Sequence, residues 1–167
     1  VTTDGAFADY AKVPEGVCWK LPSQYSYDLG AILEPMGVAV HGALVEDVNG
    51  KSVAVFGCGP IGLFAIAAVS ALGAKQVFAL EVVPKRLAMG SQLASRATLI
   101  NPEEQDAVKI ISDATESLGV DVAIELSGSP RAVKQAFKVL KRGGRISLVG
   151  VGPAVELDIH KDITLKE

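Results

Sequence analysis

Cysteine is scarce in this sequence: two occur in 167 residues, Cys18 and Cys58. So far apart, they form neither a disulfide framework nor the close pairs of a zinc site. A reducing, cytoplasmic setting is the expectation. Basic residues are scattered, the formal net charge is −3, and no stripe of Lys and Arg interleaved with aromatics runs through the chain. That argues against a nucleic-acid partner. No uninterrupted apolar stretch is long enough to span a bilayer, which argues against a membrane one. The first residue is Val1, not Met, with neither a charged leader nor an apolar signal segment after it. The chain is therefore expected to be a piece of a longer protein. What is abundant is apolar sequence and glycine: 49% hydrophobic residues and 17 Gly. That composition suits a buried α/β sheet, and the length suits one well-packed domain with a fragment of a neighbour.

Two textures follow one another. Up to about Asp47 the chain is irregular. "GAFADYAKVP" and "VCWKLP" read as short strands ended by Pro14 and Pro22. The stretch "SYDLGAILEPMGVAVHGALVEDV" is helix-like, with Pro35 as a break or a first-turn position. From Lys51 an alternation sets in. "SVAVF" has the continuous apolar, β-branched character of a strand buried on both faces, and "QVFALE", "ATLIN", "VDVAIELSG" and "RISLVGVG" read as the second to fifth strands. Between them lie helical segments: "IGLFAIAAVSALG", "PKRLAMGSQLA", "PEEQDAVKIISDATESLG" with acids in its first turn, and "SPRAVKQAFKVLKRGG". Strands alternating with helices force parallel pairing and right-handed crossovers. The expected fold is α/β, a doubly wound parallel (Rossmann) sheet over residues 48–167, with 1–47 as a short stub of another domain and a connecting helix. After the fifth strand, "AVELDIHKDITL" alternates apolar and polar residues as an edge strand does.

Between the first strand and the first helix of this region stands "GCGPIG", with Gly57, Gly59 and Gly62 at G-x-G-x-x-G spacing. Gly57 permits a tight turn, Gly59 lets the backbone approach a diphosphate, and Gly62 lets helix and strand pack closely. The helix start adds free N–H donors and a positive dipole end. The next strand ends in Glu81, 24 residues after Gly57, near the roughly 20 expected of a ribose-binding acid. A 2′-phosphate beside Glu81 would be repelled by about 4 kcal/mol at ~4 Å and an effective dielectric of roughly 20. Lys85 and Arg86 follow, and a nearby Arg can instead accommodate that phosphate. Because Glu81 sits at the strand end itself, NAD is expected over NADP.

"GAFADY", "ILEPMGVAVHGAL", "SVAVFGCGPIGL", "ALEVVPKRL" and "GGRISLVGV", in this order, resemble the medium-chain dehydrogenase/reductases. Within that family they are most similar to the zinc-dependent polyol (sorbitol-like) and threonine 3-dehydrogenase branches. The resemblance covers essentially the whole chain. It implies oxidation of a secondary alcohol, with hydride passing to NAD and a zinc polarising the alcohol. Carried over residue by residue, it implies that Pro60 and Ile61 meet the diphosphate through their backbone. Glu81 and Arg86 then contact the adenosine ribose, Val38 lies on the nicotinamide side, and Val149, Gly150 and Val151 line the nicotinamide. Ser127 and Gly128, ending the fourth strand, fall at a coenzyme edge. Cys58 is a small filler within the turn.

The same resemblance makes Glu34, in its "EP" pair, the acid at a catalytic zinc, as a ligand or through a water, or in a proton relay. Otherwise it is a helix-start acid before Pro35. His41, seven residues on, shares its helical face in the helix reading. A three-ligand zinc site needs further donors that the sequence does not supply, so zinc is expected only in the full-length parent. The expected partners are a small-molecule alcohol and a second copy of the chain in a homo-oligomer. Two other readings stay open: a stand-alone nucleotide-binding or regulatory module, and a zinc-free reductase of the same superfamily.

Overall fold

The strands expected from residue 52 onward form one five-stranded sheet, with the apolar runs at its centre and the more polar β5 (Leu140–Leu148) at one end. The computed structural model describes residues 5–166. Val1–Asp4 and Glu167, the outer ends of the regions expected at 1–47 and 48–167, lie outside the described residues. The strands are β1 (Ser52–Phe56), β2 (Gln76–Leu80), β3 (Thr98–Ile100), β4 (Val120–Glu125) and β5 (Leu140–Leu148). All pair in parallel, in the order β3-β2-β1-β4-β5. Strands β1 to β4 feed two separate cores, one on each face, while β5 adds Leu140 and Ile146 to the second alone. Val53, Val55, Val122 and Ile124 pack on one face, with Ile66 and Val69 of α2 (Pro60–Ala71) and with Ala39 and Ala43 of α1 (Tyr27–Ala43). Ala54, Phe56, Phe78 and Ala123 pack on the other, with Ile111 of α4 (Ala107–Ala114) and Ala136 of α5 (Pro130–Val139). Leu87 of α3 (Pro84–Leu93) joins the first face. The sheet is doubly wound, as its alternating sequence implies.

Several boundaries differ from expectation, each for a local reason. The chain divides into two compact units, Val1–Leu33 and Glu34–Glu167. In the first, "GAFADYAKVP" and "VCWKLP" form no strand among the described residues. Their backbone bonds are local, such as Val17 N–H to Pro14 O and Cys18 N–H to Glu15 O, around a single 3-10 turn (Glu15–Val17). A strand needs a paired neighbour, and propensity alone does not provide one. Pro35 neither breaks nor opens α1 but lies inside it. The helix starts earlier, after Ser26, whose hydroxyl accepts the Leu29 N–H.

In the second unit α4 starts at Ala107, not at "PEEQ". Asn101 Oδ1 accepts the Glu103 N–H and Gln105 Oε1 accepts the Asn101 N–H, closing a turn before the helix. Asp106 then caps α4 by accepting the Lys109 N–H. Glu103 and Glu104 therefore sit in the turn. α5 stops at Val139, and Gly143 and Gly144 lie within β5, where its register against β4 shifts. "AVELDIHKDITL" is not an edge strand. Asp158 accepts the N–H groups of His160 and Lys161, Asp162 accepts the Asp158 N–H, and Ile159–Ile163 winds into a π-helical turn. Reciprocal side-chain bonds outbid an extended conformation that has no partner.

The N-terminal ends of the strands are tied by one side chain. Asp121, at the start of β4, accepts both the N–H and the hydroxyl of Ser52 at the start of β1, at 2.8 and 2.7 Å. It also pairs with the Lys141 ammonium at the start of β5. Burial alone would raise the Asp121 pKa, but the Lys141 and Ser52 donors outweigh it and hold it down, from 3.8 to about 2. Since the folded value lies below the unfolded one, the stabilisation is complete above the unfolded pKa and drains away as the pH falls toward 2. Asp121→Asn should therefore lose on the order of 2 kcal/mol at neutral pH. The gap from wild type should close as urea denaturation is repeated from about pH 5 downward. A gap independent of pH would show that the tie is not ionic.

Candidate functional site

Strand order reverses between β1 and β4, so the connections leave these neighbours in opposite directions and open a crevice at their C-terminal ends. The glycine turn lies there. Gly57 follows β1 with φ +94° and donates its N–H to Leu80 O. Only glycine takes that conformation without strain. The chain then turns into α2 so abruptly that a Cβ on Gly62 would stand 1.9 Å from the Gly57 carbonyl oxygen. Gly62 thus serves an approach to the turn's own carbonyl, closer than the helix–strand packing expected of it. Pro60 occupies the first helical position. Among the described residues the N–H groups of Gly59, Ile61 and Gly62 make no hydrogen bond. A Cβ on Gly59 would meet no protein atom within 4 Å. Unshared donors, a helix dipole and an unobstructed approach are what a phosphate group requires.

Glu81, just past β2, is buried to 7% exposure. Its Oε2 accepts the Cys58 N–H at 2.9 Å, and its Oε1 accepts those of Val82 and Val83 at 2.8 and 2.9 Å. The carboxylate therefore braces the glycine turn against the β2 exit, a role that spacing did not reveal. It also lines a cavity of about 210 Å³ with Leu80, Val82, Pro102, Arg131 and Ala132. Arg86 lies exposed on α3 and is not among the residues that line this cavity. The guanidinium that does belongs to Arg131, whose Nη2 donates to Pro102 O at 2.6 Å. Its position in the first turn of α5, beyond the β4 glycine, was the available signal. Cys58 is wholly buried. Burial first, and the Glu81 charge second, push its thiol up to about 12. It is neutral and shielded, which suits a filler.

The ends of β4 and β5 form the other rim. Val149 and Gly150 both donate their N–H to Glu125 O, each at 2.9 Å. The Glu125 side chain is wholly buried and accepts from the Ser127 N–H at 2.9 Å, the Ser127 hydroxyl, and the Gly128 N–H at 3.1 and 3.2 Å. The Ser127 oxygen also accepts the Ser129 N–H at 3.1 Å, so its hydroxyl is engaged within the protein. Gly128 has φ +67°, and a Cβ on it would lie 2.2 Å from Val151 O. Ser127, Gly128, Val149, Gly150 and Val151 are thus brought together with the glycine turn, since Gly57 backs onto Ser127. Glu125 escaped the sequence reading. A second strand ending in an acid was the clue, but only Glu81 stood at a meaningful spacing from the glycines.

On α1, Glu34, Val38 and Gly42 recur at four-residue steps and so share a face. At Gly42 that face meets Val149, whose Cγ2 would lie 2.9 Å from an added Cβ. Val38, half-buried, is one turn earlier and Glu34 two. Glu34 is exposed in mid-helix, so a helix-start role is excluded, and His41 is exposed as well. Among the described residues no three His, Cys, Asp or Glu side chains gather to hold a metal ion. By themselves they do not fit a zinc centre. Nor is any helix among them long and apolar enough to cross a membrane.

A family model described as "Zinc-binding dehydrogenase" matches residues 60–167. The L-threonine 3-dehydrogenase of Symbiobacterium thermophilum is 41% identical over 167 residues, covering 99% of this chain and 47% of that protein. Among solved structures, galactitol-1-phosphate dehydrogenase from Escherichia coli superposes with a TM-score of 0.85 at 30% identity, over 98% of this chain and 48% of its own. A protein of Sinorhizobium meliloti described as a zinc-binding dehydrogenase, solved bound to NADP, gives 0.74 at 30% identity, over 82% and 41%. The chain spans about half the length of the curated relatives it matches.

The two thiols test the packing of the turn. Cys18 is exposed and Cys58 buried. A disulfide reagent at pH 8 should titrate one thiol per native chain and two after denaturation, with Cys18→Ser abolishing the native signal. A fast-reacting Cys58 would mean that the glycine turn is open.

Proposed function

The chain belongs to the zinc-binding dehydrogenase family, and from that premise we propose that it is the NAD-binding half of an enzyme oxidising a secondary alcohol, polyol or threonine-like. The observation that carries the reading is the start of α2, whose unshared N–H groups face the crevice at the β1/β4 reversal. NAD bound there would supply the hydride acceptor for the carbinol carbon. The protein's share is to hold and orient it. The α2 N-terminus takes the diphosphate through the backbone of Gly59, Ile61 and Gly62. Glu81 faces the adenosine ribose at the mouth of the 210 Å³ cavity, whose apolar walls suit a purine. Val38, Val149, Gly150 and Val151 screen the nicotinamide side from water.

Residues 1–47 fit a stub of the catalytic domain, because similarity to threonine 3-dehydrogenases extends through them as well as the sheet. That also disfavours a free-standing nucleotide module. Zinc is assigned to the part of the relatives' length that this chain does not span, with Glu34 on its side of the coenzyme. We assign a second copy in a homo-oligomer to the β5 end of the sheet, where β5 is paired with β4 alone among the described residues. Two free cysteines suit a cytoplasmic setting.

Coenzyme choice tests the Glu81 assignment, the more so because one structural relative carries NADP. In the intact parent NAD should be preferred, and Glu81→Ser should erode the kcat/KM ratio of NAD to NADP about tenfold, or ~1.4 kcal/mol. A ratio is the right quantity, since losing the brace on Cys58 weakens both coenzymes alike. Equal use of NADP by the unaltered enzyme would overturn the assignment.

Glu34 makes a separate prediction. In the parent, Glu34→Ala should lower kcat by about a hundredfold, the scale of a lost acid–base or metal-side group. NAD affinity, measured by titration, should not change. Full kcat and full zinc content in that variant would reduce Glu34 to an exposed helix acid.

A further inference from the structure

We propose that Glu125 is a positioning residue for the dinucleotide, fixing the separation between the two rims of the crevice; the inference rests on the NAD-binding reading above. Among the described residues Glu125 is the one charged side chain with no exposure at all. A carboxylate is costly to bury and is kept there only if its oxygens are saturated with donors. Here the donors are the Ser127 N–H, the Ser127 hydroxyl and the Gly128 N–H, all from the turn that leaves β4.

The same residue reaches the second rim by two routes. Its carbonyl accepts the N–H groups of Val149 and Gly150. Its Oε2 lies where an added Cβ on Gly150 would stand 2.6 Å away, so the segment leaving β5 is pressed against the carboxylate. On the opposite side Ser127 stands against Gly57, whose Cβ position is 3.0 Å from the Ser127 Cβ. One line of contacts therefore runs from the diphosphate turn through Ser127 and Glu125 to the strand end assigned to the nicotinamide. A ligand spanning both rims senses the length of that line. A ligand bound to the turn alone does not.

Charge and position make opposite demands, which gives the test its edge. If Glu125 acted only through its charge, removing it would tighten the binding of an anionic dinucleotide. If it sets the spacing, Glu125→Gln must weaken that binding despite removing a like charge. The amide oxygen can keep the Oε1 place and the Ser127 donors, but the NH₂ then takes the Oε2 place beside the Gly128 N–H, donor against donor, and pushes the turn away. Glu125→Asp keeps the charge but is one methylene too short to reach the turn.

The experiment is calorimetric titration of the chain with NADH and, separately, with ADP, well below each variant's melting temperature. Both variants should lose about tenfold in NADH affinity while the ADP affinity holds, because only the ligand that spans both rims senses a change in their separation. Should both variants fail to fold, Ser127→Ala, which removes one donor and leaves the carboxylate in place, should show a smaller loss of the same selective kind. Tighter NADH binding by Glu125→Gln, or equal losses for NADH and ADP, would overturn the proposal. Lower melting temperatures with unchanged affinities would overturn it too, leaving Glu125 a core residue only. Failure of the unaltered chain to bind either NADH or ADP would instead strike down the NAD-binding reading, and this inference with it.

Discussion

The C-terminal edge of the sheet depends on a single close approach. Gly62 brings α2 against the carbonyl of Gly57 at a distance that excludes any side chain. From that contact follow the angle at which α2 leaves β1, the exposure of its first N–H groups, and the position of Cys58, where Glu81 can reach the backbone. Strands β1 and β2 are then held together twice, by their ladder and by this carboxylate. Apolar burial on both faces makes the sheet rigid, yet it is indifferent to what happens at its ends. The ends are shaped by polar contacts.

The two ends are shaped differently. Where the strands begin, Asp121 gathers β1, β4 and β5 through an ion pair and two hydrogen bonds. Where they finish, two buried acids, Glu81 and Glu125, each take up backbone donors of the segment that follows its own strand. One neighbouring N–H of the glycine turn is enlisted as well. This is economical chemistry. A turn beside a ligand must keep its shape without spending side chains that would fill the space, and a carboxylate set behind the backbone does so from the buried side.

How much of this was legible beforehand depended on the range of the determining contact. The alternation of Val53, Ala54, Val55 and Phe56 between two cores follows from strand periodicity, and Gly57, Gly59 and Gly62 announce their turn by spacing. The start of α4 was misplaced because Asn101 and Gln105 close a turn among themselves, and acids read as a first helical turn were only passing through it. "GAFADYAKVP" and "AVELDIHKDITL" had strand-like composition, but a strand is a relation between two segments. Glu125 was missed for the same reason. Its significance appears only when Ser127 and Gly150, far apart in sequence, arrive on either side of it. The family resemblance found the neighbours of that residue but not the residue itself.

The crossing of Gly128 with the end of β5 also bears on how this molecule can change. Added Cβ atoms on Gly128, Gly150 and Gly152 would each fall between 1.8 and 2.2 Å from a backbone atom of the opposing segment. No one of the three can acquire a side chain while the other two hold their places. A side chain at any one of them would force the opposing backbone to shift. The β4–β5 rim thus resists single substitutions, whereas the side chains of Val82, Val83 and Arg86 beyond β2 are exposed. Change is open at the β2 exit and closed at the β4–β5 rim.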